Sequence, residues 1–378
     1  MVHLTPLRFA LAIAVIAIGY AALSLARGRP FLIGDCPYYA ATTHTLLHDG
    51  DWDLRNQLPG DVPDHHGFFA LSIDGRIVPK HSVLMPIVSI PFYFIFGTLG
   101  FLIVNLITTF ALVWGIMRLA GGDLAARWLA LVAYLSTPFL AYTVNYSPDV
   151  FATSLFIWSC VFAVRNRPLA CGVCAGLAVW AKITMVLLLL PLALIIVPPG
   201  WRATLKCGLA AAVAVSPMLI IQTHLFGSPF VTGYDRDARL TEAGFIITEH
   251  YSRFNVPLLT GLGNLLFDPT IGMLKTAPLW FLWPVGVVMA IRSRSASEAF
   301  ASRLHVVALL LSLLANLVFF ACYDEWNASM FGNRFLFPAL ALGFVLQNPL
   351  WRWLMTRIVE SRGQRVYNSA TDEKTPGN

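Results

Sequence analysis

The chain has 378 residues, 57% of them hydrophobic and only 12% charged, with a formal net charge of +6 and a mean hydropathy of +0.68. That composition excludes a soluble domain and leaves a polytopic membrane protein, all-α in build. No nucleic-acid partner is expected.

Leu7 to Ala26 is about twenty residues long with Arg8 as its only charge, enough to cross a hydrocarbon core of about 30 Å. No small-residue cleavage site precedes Arg27, so it reads as a retained first span and not as a signal peptide. Further apolar runs follow at 99–118, 124–142, 150–164, 169–182, 183–197, 203–223, 277–291, 303–322 and 334–347, which makes about ten transmembrane helices. Several are shorter than the roughly 17 residues of a straight crossing and predict extended or broken helices.

Charge fixes the parity of the spans, because cytoplasmic loops collect Lys and Arg. With the amino terminus inside, the inner segments hold fifteen basic residues and five acids, and the outer segments eleven and fifteen. Both termini are then cytoplasmic, in a bacterial inner membrane. Counting Val83 to Phe96 as a crossing would move Arg118 and Arg127 outside. This run, with Pro86 and Pro91, therefore reads as an amphipathic or re-entrant helix on the outer face. Residues 169–197 read as two short helices meeting near Lys182, since one span would expel Arg202 and Lys206.

Residues 1–359 thus form one integral membrane domain with outer loops at about 27–98, 142–149, 224–276 and 323–333. Residues 360–378, rich in polar side chains, form a disordered cytoplasmic tail. The first outer loop is large and carries juxtamembrane amphipathic helices.

The outer segments hold the chemistry. Gly34-Asp35-Cys36-Pro37-Tyr38-Tyr39 puts a carboxylate just outside the first span, followed by Asp49-Gly50-Asp51 and by Pro79-Lys80-His81. Ser147-Pro148-Asp149, Ala181-Lys182, Phe226-Gly227-Ser228-Pro229 and Gly332-Asn333-Arg334-Phe335 come later. In pattern and order these resemble the GT-C superfamily of glycosyltransferases that use polyprenyl-phosphate sugars, such as protein O-mannosyltransferases and lipid A aminoarabinose transferases. The resemblance implies a membrane fold with a donor groove and a proposed base at Asp35, with Asp149 as the second outer acid. It departs at Cys36, where the family carries a second acid, so no metal or acceptor role carries over to that position.

Transfer of a sugar from a polyprenyl phosphate to an acceptor hydroxyl requires a base near the nucleophile and cations near the departing phosphate. Asp35 can take the proton; Arg334, Lys80 and Lys182 can hold the phosphate. Tyr38, Tyr39, His81 and Glu325 are the expected substrate contacts, with a lipid-linked sugar donor, surrounding membrane lipid, and a glycan, lipid or protein acceptor as partners. Acceptor choice is expected in the 224–276 loop, around residues such as Tyr234, Asp235 and Arg236.

Each residue has a plainer role open to it. Asp35, two residues before Pro37, suits a helix start. Lys80 and Arg334 suit interfacial anchors, and Lys182 a wet turn. His65 and His66, with Asp64 and His81, offer ligands for a divalent metal or are solvated loop residues. Cys160, Cys171, Cys174 and Cys207 lie in apolar spans and read as packing residues. Cys36 and Cys322 lie near the outer face, where a disulfide is permitted. The leading expectation is an inverting glycosyltransferase. A transporter or flippase of lipid-linked substrates, or an inactive assembly subunit, remains the alternative.

Overall fold

The computed structural model describes residues 4–57, 69–241, 244–247, 253–292, 302–326 and 331–372. Apolar runs become helices that stop where Gly, Pro or a polar cap interrupts them. In chain order these are α1 (Pro6–Ala26), α2 (Cys36–His48), α3 (Leu84–Phe96), α4 (Leu99–Leu119), α5 (Leu124–Leu135), α6 (Phe139–Tyr142) and α7 (Pro148–Val164). There follow α8 (Pro168–Ala181), α9 (Met185–Leu189), α10 (Ala193–Ile196), α11 (Trp201–Phe226), α12 (Leu258–Phe267), α13 (Met273–Thr276), α14 (Trp283–Arg292), α15 (Arg303–Ala321), α16 (Phe337–Leu346) and α17 (Asn348–Asp372).

Four described helices, α1, α4, α11 and α15, are long and apolar enough to cross a membrane, and several shorter apolar helices accompany them. Helix α16 is the hub: each of its ten residues is buried, as an all-round apolar helix must be when other helices enclose it. Helix α11 is the opposite case, with Leu205, Leu209, Val213 and Ile220 exposed. In a chain of this composition those side chains face lipid.

Residues 168–197 break as their charges require. Helix α8 ends at Ala181, Lys182 adopts an extended conformation, and α9 starts at Met185. Pro191 then divides this second piece, with a 3₁₀ turn at Leu190–Leu192 between α9 and α10. The segment that parity excluded as a crossing is α3, thirteen residues long with Pro91 inside it.

One expectation needs correction. The fold is mostly helical but not all-α: four antiparallel strands form one sheet in the order β2-β1-β3-β4. Strands β1 (Phe69–Leu71) and β2 (Ile77–Pro79) come from the segment between α2 and α3, β3 (Asp237–Thr241) and β4 (Gly244–Ile247) from the loop after α11. The turn between β1 and β2 contains Asp74-Gly75, a pair suited to tight hairpins, with Gly75 at φ +80°. Strand β3 pairs with β1, Phe69 opposite Ala238 and Ala70 opposite Asp237, so the sheet fastens one loop to the other. At the carboxyl-terminal end, α17 runs on past Glu360 to Asp372.

Candidate active site

Gly34, at φ +61°, turns the chain out of the segment that follows α1 and delivers Asp35 to the start of α2. Asp35 stands at the N-cap position, yet its side chain caps nothing in α2. Its carboxylate instead accepts a 2.7 Å hydrogen bond from Nη2 of Arg334. Helix capping therefore does not account for this residue.

Arg334 is presented by a short 3₁₀ turn, Arg334–Leu336, that leads into α16. Asn333 fixes that turn by accepting from the Phe335 amide at 3.1 Å and donating to the Trp326 carbonyl at 2.9 Å. The guanidinium also lies 3.6 Å, through Nε, from Asp149.

Asp149 sits in the first turn of α7, buried, with Ser147 Oγ donating to it at 3.1 Å. Its other oxygen accepts from the Lys182 ammonium at the break after α8. Phe335 lies between the cations, its ring centre 4.8 Å from Lys182 Nζ and 5.4 Å from the Arg334 guanidinium carbon.

Asp35, Asp149, Lys182 and Arg334 thus form one mostly buried, charge-balanced cluster at one end of the helices. Pairing is what makes such burial tolerable. The two carboxylates differ: Asp149 is engaged by both cations and Ser147, whereas Asp35 meets only Arg334 among these groups.

A second group adjoins the first. Lys80 Nζ donates to Asp237 at 2.7 Å, and burial pulls the Lys80 ammonium below its ordinary pKa. The His81 ring stacks on Tyr39, centroids 5.4 Å apart, and its Nδ1 is 2.8 Å from the Tyr234 hydroxyl. Burial, with Lys80 and Arg334 nearby, pushes His81 down to about 4 and keeps it neutral; Asp35 and Asp149 also act on it and oppose this shift. Tyr38, Tyr39, Thr42, Pro79, Lys80, His81 and Ser82 line one small pocket, and partial burial, with Asp35 nearby, pushes the Tyr38 phenol up to about 12.

Cys36, where the family pattern carries an acid, is buried and donates its thiol to Asn145 at 2.9 Å. Burial pushes that thiol up to about 12, so it supplies no anion in the acid's place. Cys36 and Cys322 are both free, so the permitted disulfide is not formed. Cys171 and Cys207 do meet across α8 and α11, although their spacing gave no sign of it.

Not every expected residue joins the site. Glu325 is half-exposed at the rim, paired with Arg253 and accepting from the Tyr323 hydroxyl at 3.1 Å. His65, His66 and Asp64 lie outside the described residues, and among those described no three His, Cys, Asp or Glu side chains gather as metal ligands. Asp237 and Asn145 were not anticipated, and Phe335 was named only within the Gly332–Phe335 motif. The charge of Asp237 was visible in a loop expected to choose the acceptor, but its partner lies 157 positions away.

No family model matches this chain, and no curated protein sequence matches it. Solved structures do. ArnT from Cupriavidus metallidurans, bound to undecaprenyl phosphate, superposes with a TM-score of 0.59 at 14% identity over 98% of this chain. The apo state of the same protein gives 0.58 at 16% identity over 97%. The apo oligosaccharyltransferase from Archaeoglobus fulgidus gives 0.53 at 12% identity over the full chain. This chain spans 65% of the ArnT chain and 53% of the oligosaccharyltransferase chain. The likeness shows a GT-C-like fold, and the long apolar helices of this chain fit an integral membrane protein.

Proposed function

We propose that this chain is a membrane glycosyltransferase that moves a sugar from a polyprenyl phosphate, of the undecaprenyl type, to an acceptor hydroxyl on the extracytoplasmic face. The observation that carries the reading is the buried cluster of Asp35, Arg334, Asp149 and Lys182, with Lys80 beside it. About ten spans, both termini in the cytoplasm and residence in the bacterial inner membrane complete the proposal, supported by the distribution of Lys and Arg.

The acceptor oxygen attacks the anomeric carbon from the face opposite the phosphate. A new carbon–oxygen bond forms, the bond to the phosphate oxygen breaks, and configuration inverts. The acceptor proton passes to Asp35. The departing group goes from a phosphodiester with one negative charge to a monoester with nearly two, so cations aimed at it stabilise the transition state more than the bound substrate.

Arg334, with its planar fork, Lys182 and Lys80 take that task in this reading. Asp149, held by both Lys182 and Arg334, stays ionised and orients them. Asp35 has one cationic partner, so a donor phosphate that draws Arg334 toward itself leaves Asp35 the freer base. Tyr39 and His81 form the adjoining wall for the sugar or acceptor.

The test is Asp35→Asn in purified, detergent-solubilised protein supplied with polyprenyl-phosphate sugars. We expect kcat to fall about a hundredfold or more with the thermal melt intact. Near-normal turnover by that folded variant would remove Asp35 as the base.

A further inference from the structure

The ion pair between Lys80 and Asp237 joins two loops that are far apart in sequence. Lys80 follows β2, and Asp237 opens β3, beyond the nine helices α3 to α11. Both side chains are nearly sealed from solvent, at 6% and 10% exposure, so the pair is no surface contact.

The surroundings repeat the same fastening several times. Arg236 donates through Nε to the Leu71 carbonyl at 2.5 Å and through Nη2 to the Ser72 carbonyl at 3.2 Å. Gly233 lies against the Lys80 backbone, its Cα so close that an added Cβ would run into the Lys80 carbonyl. Tyr234 reaches His81 through its hydroxyl and offers its ring face to Lys80 Nζ at 5.3 Å. Residues 233–238 thus close over Pro79-Lys80-His81 on the backbone side, the side-chain side and the ring side at once.

A long lysine side chain has many rotamers, and a point charge placed loosely binds phosphate with little precision. A buried carboxylate at 2.7 Å selects one of those rotamers, and β1–β3 pairing fixes the carboxylate in turn. We propose that Asp237 is a positioning residue for the donor phosphate: it sets where the Lys80 ammonium stands and so couples the loop after α11 to donor binding. It touches no reacting atom and acts only through Lys80. The inference rests on the reading, given above, that Lys80 meets that phosphate.

The experiment is a double-mutant cycle on the full chain, with donor KM and kcat measured separately and a thermal melt for each variant. Lys80→Met is expected to raise donor KM about tenfold with a smaller change in kcat. Asp237→Asn is expected to raise it by about fivefold, and the double variant to match Lys80→Met within about twofold, because two residues acting through one contact are not additive. Asp237→Glu, which keeps the charge, should recover most of the donor KM.

An Asp237→Asn protein that melts earlier but keeps its donor KM would overturn the inference, as would fully additive effects. If Asp237→Asn does not fold, failure of the folded Asp237→Glu protein to keep a donor KM closer to wild type than to Lys80→Met overturns it equally. Unchanged donor KM in folded Lys80→Met would instead remove Lys80 from the phosphate site, a failure of the underlying reading and distinguishable from the others.

Discussion

Single residues in the cluster are held by pairing, and pairing makes their removal costly. Asp149 faces two cations, so Asp149→Asn leaves Lys182 and Arg334 with one carboxylate between them. Breaking a buried pair by removing one partner typically destabilises by about 3 kcal/mol, and we expect a loss of that order in chemical denaturation of the variant. His81 makes a different prediction. Its folded pKa, lowered to about 4 by burial, lies below the 6.5 of an exposed imidazole. The unfolded chain therefore binds a proton through that interval while the folded one does not. Stability should fall as pH drops from about 6.5 toward 4, and His81→Gln should flatten this dependence in melts recorded across the range. Activity between pH 6 and 8 should show no titration near 6.5 from this residue. The residue types of the site were readable from the chain, since Asp35, Asp149 and Arg334 each stand near a Gly, Pro or cap residue and Lys182 is a lone charge in a long apolar stretch. Their mutual pairing was not readable, because ion pairs between loops leave no local pattern.

At the level of elements, α8 and α11 make a close backbone contact. Gly172 and Gly176, one turn apart on α8, lie against the backbone of Cys207 and Ala211, where an added Cβ would collide with carbonyl oxygens. Small residues four apart let helix backbones approach closely in a membrane, and Gly172-x-x-x-Gly176 was in the sequence as that signal. Gly176→Leu should force the helices apart and lower stability by about 3 kcal/mol or more, as overpacking in a fixed contact does. Because Lys182 follows directly after α8, turnover should fall as well; a melt and an assay on the same preparation would check both. The sheet teaches the converse about legibility. Asp74-Gly75 between short apolar runs was a hairpin signal. The pairing of β1 with β3 had no such signal, since it depends on two loops meeting after the helices have packed.

For the whole molecule, long apolar runs and the bias of Lys and Arg carry most of the architecture, because the bilayer allows few other arrangements of a chain this apolar. What they do not determine is the arrangement of the long loops, which must fold upon the helix ends. A ligand that binds only the native state stabilises it by about 2.7 kcal/mol at a hundred times its Kd. Undecaprenyl phosphate should therefore raise the melting temperature of the solubilised protein, and Arg334→Ala should abolish the rise. A rise that persists in that variant would mean the lipid binds elsewhere.

The contact of Asp35 with Arg334 spans 299 positions of chain. Synthesis proceeds at roughly 5–20 residues per second, so about 15–60 s separate the emergence of one partner from that of the other. Asp35 and Asp149 are both made before Arg334, and β1 waits for β3 in the same way. A nascent chain can seat its early helices but holds two acids against the single cation Lys182 until its last segments arrive. Truncation ahead of Arg334 should therefore yield an inserted protein that is a ready substrate for membrane quality-control proteases.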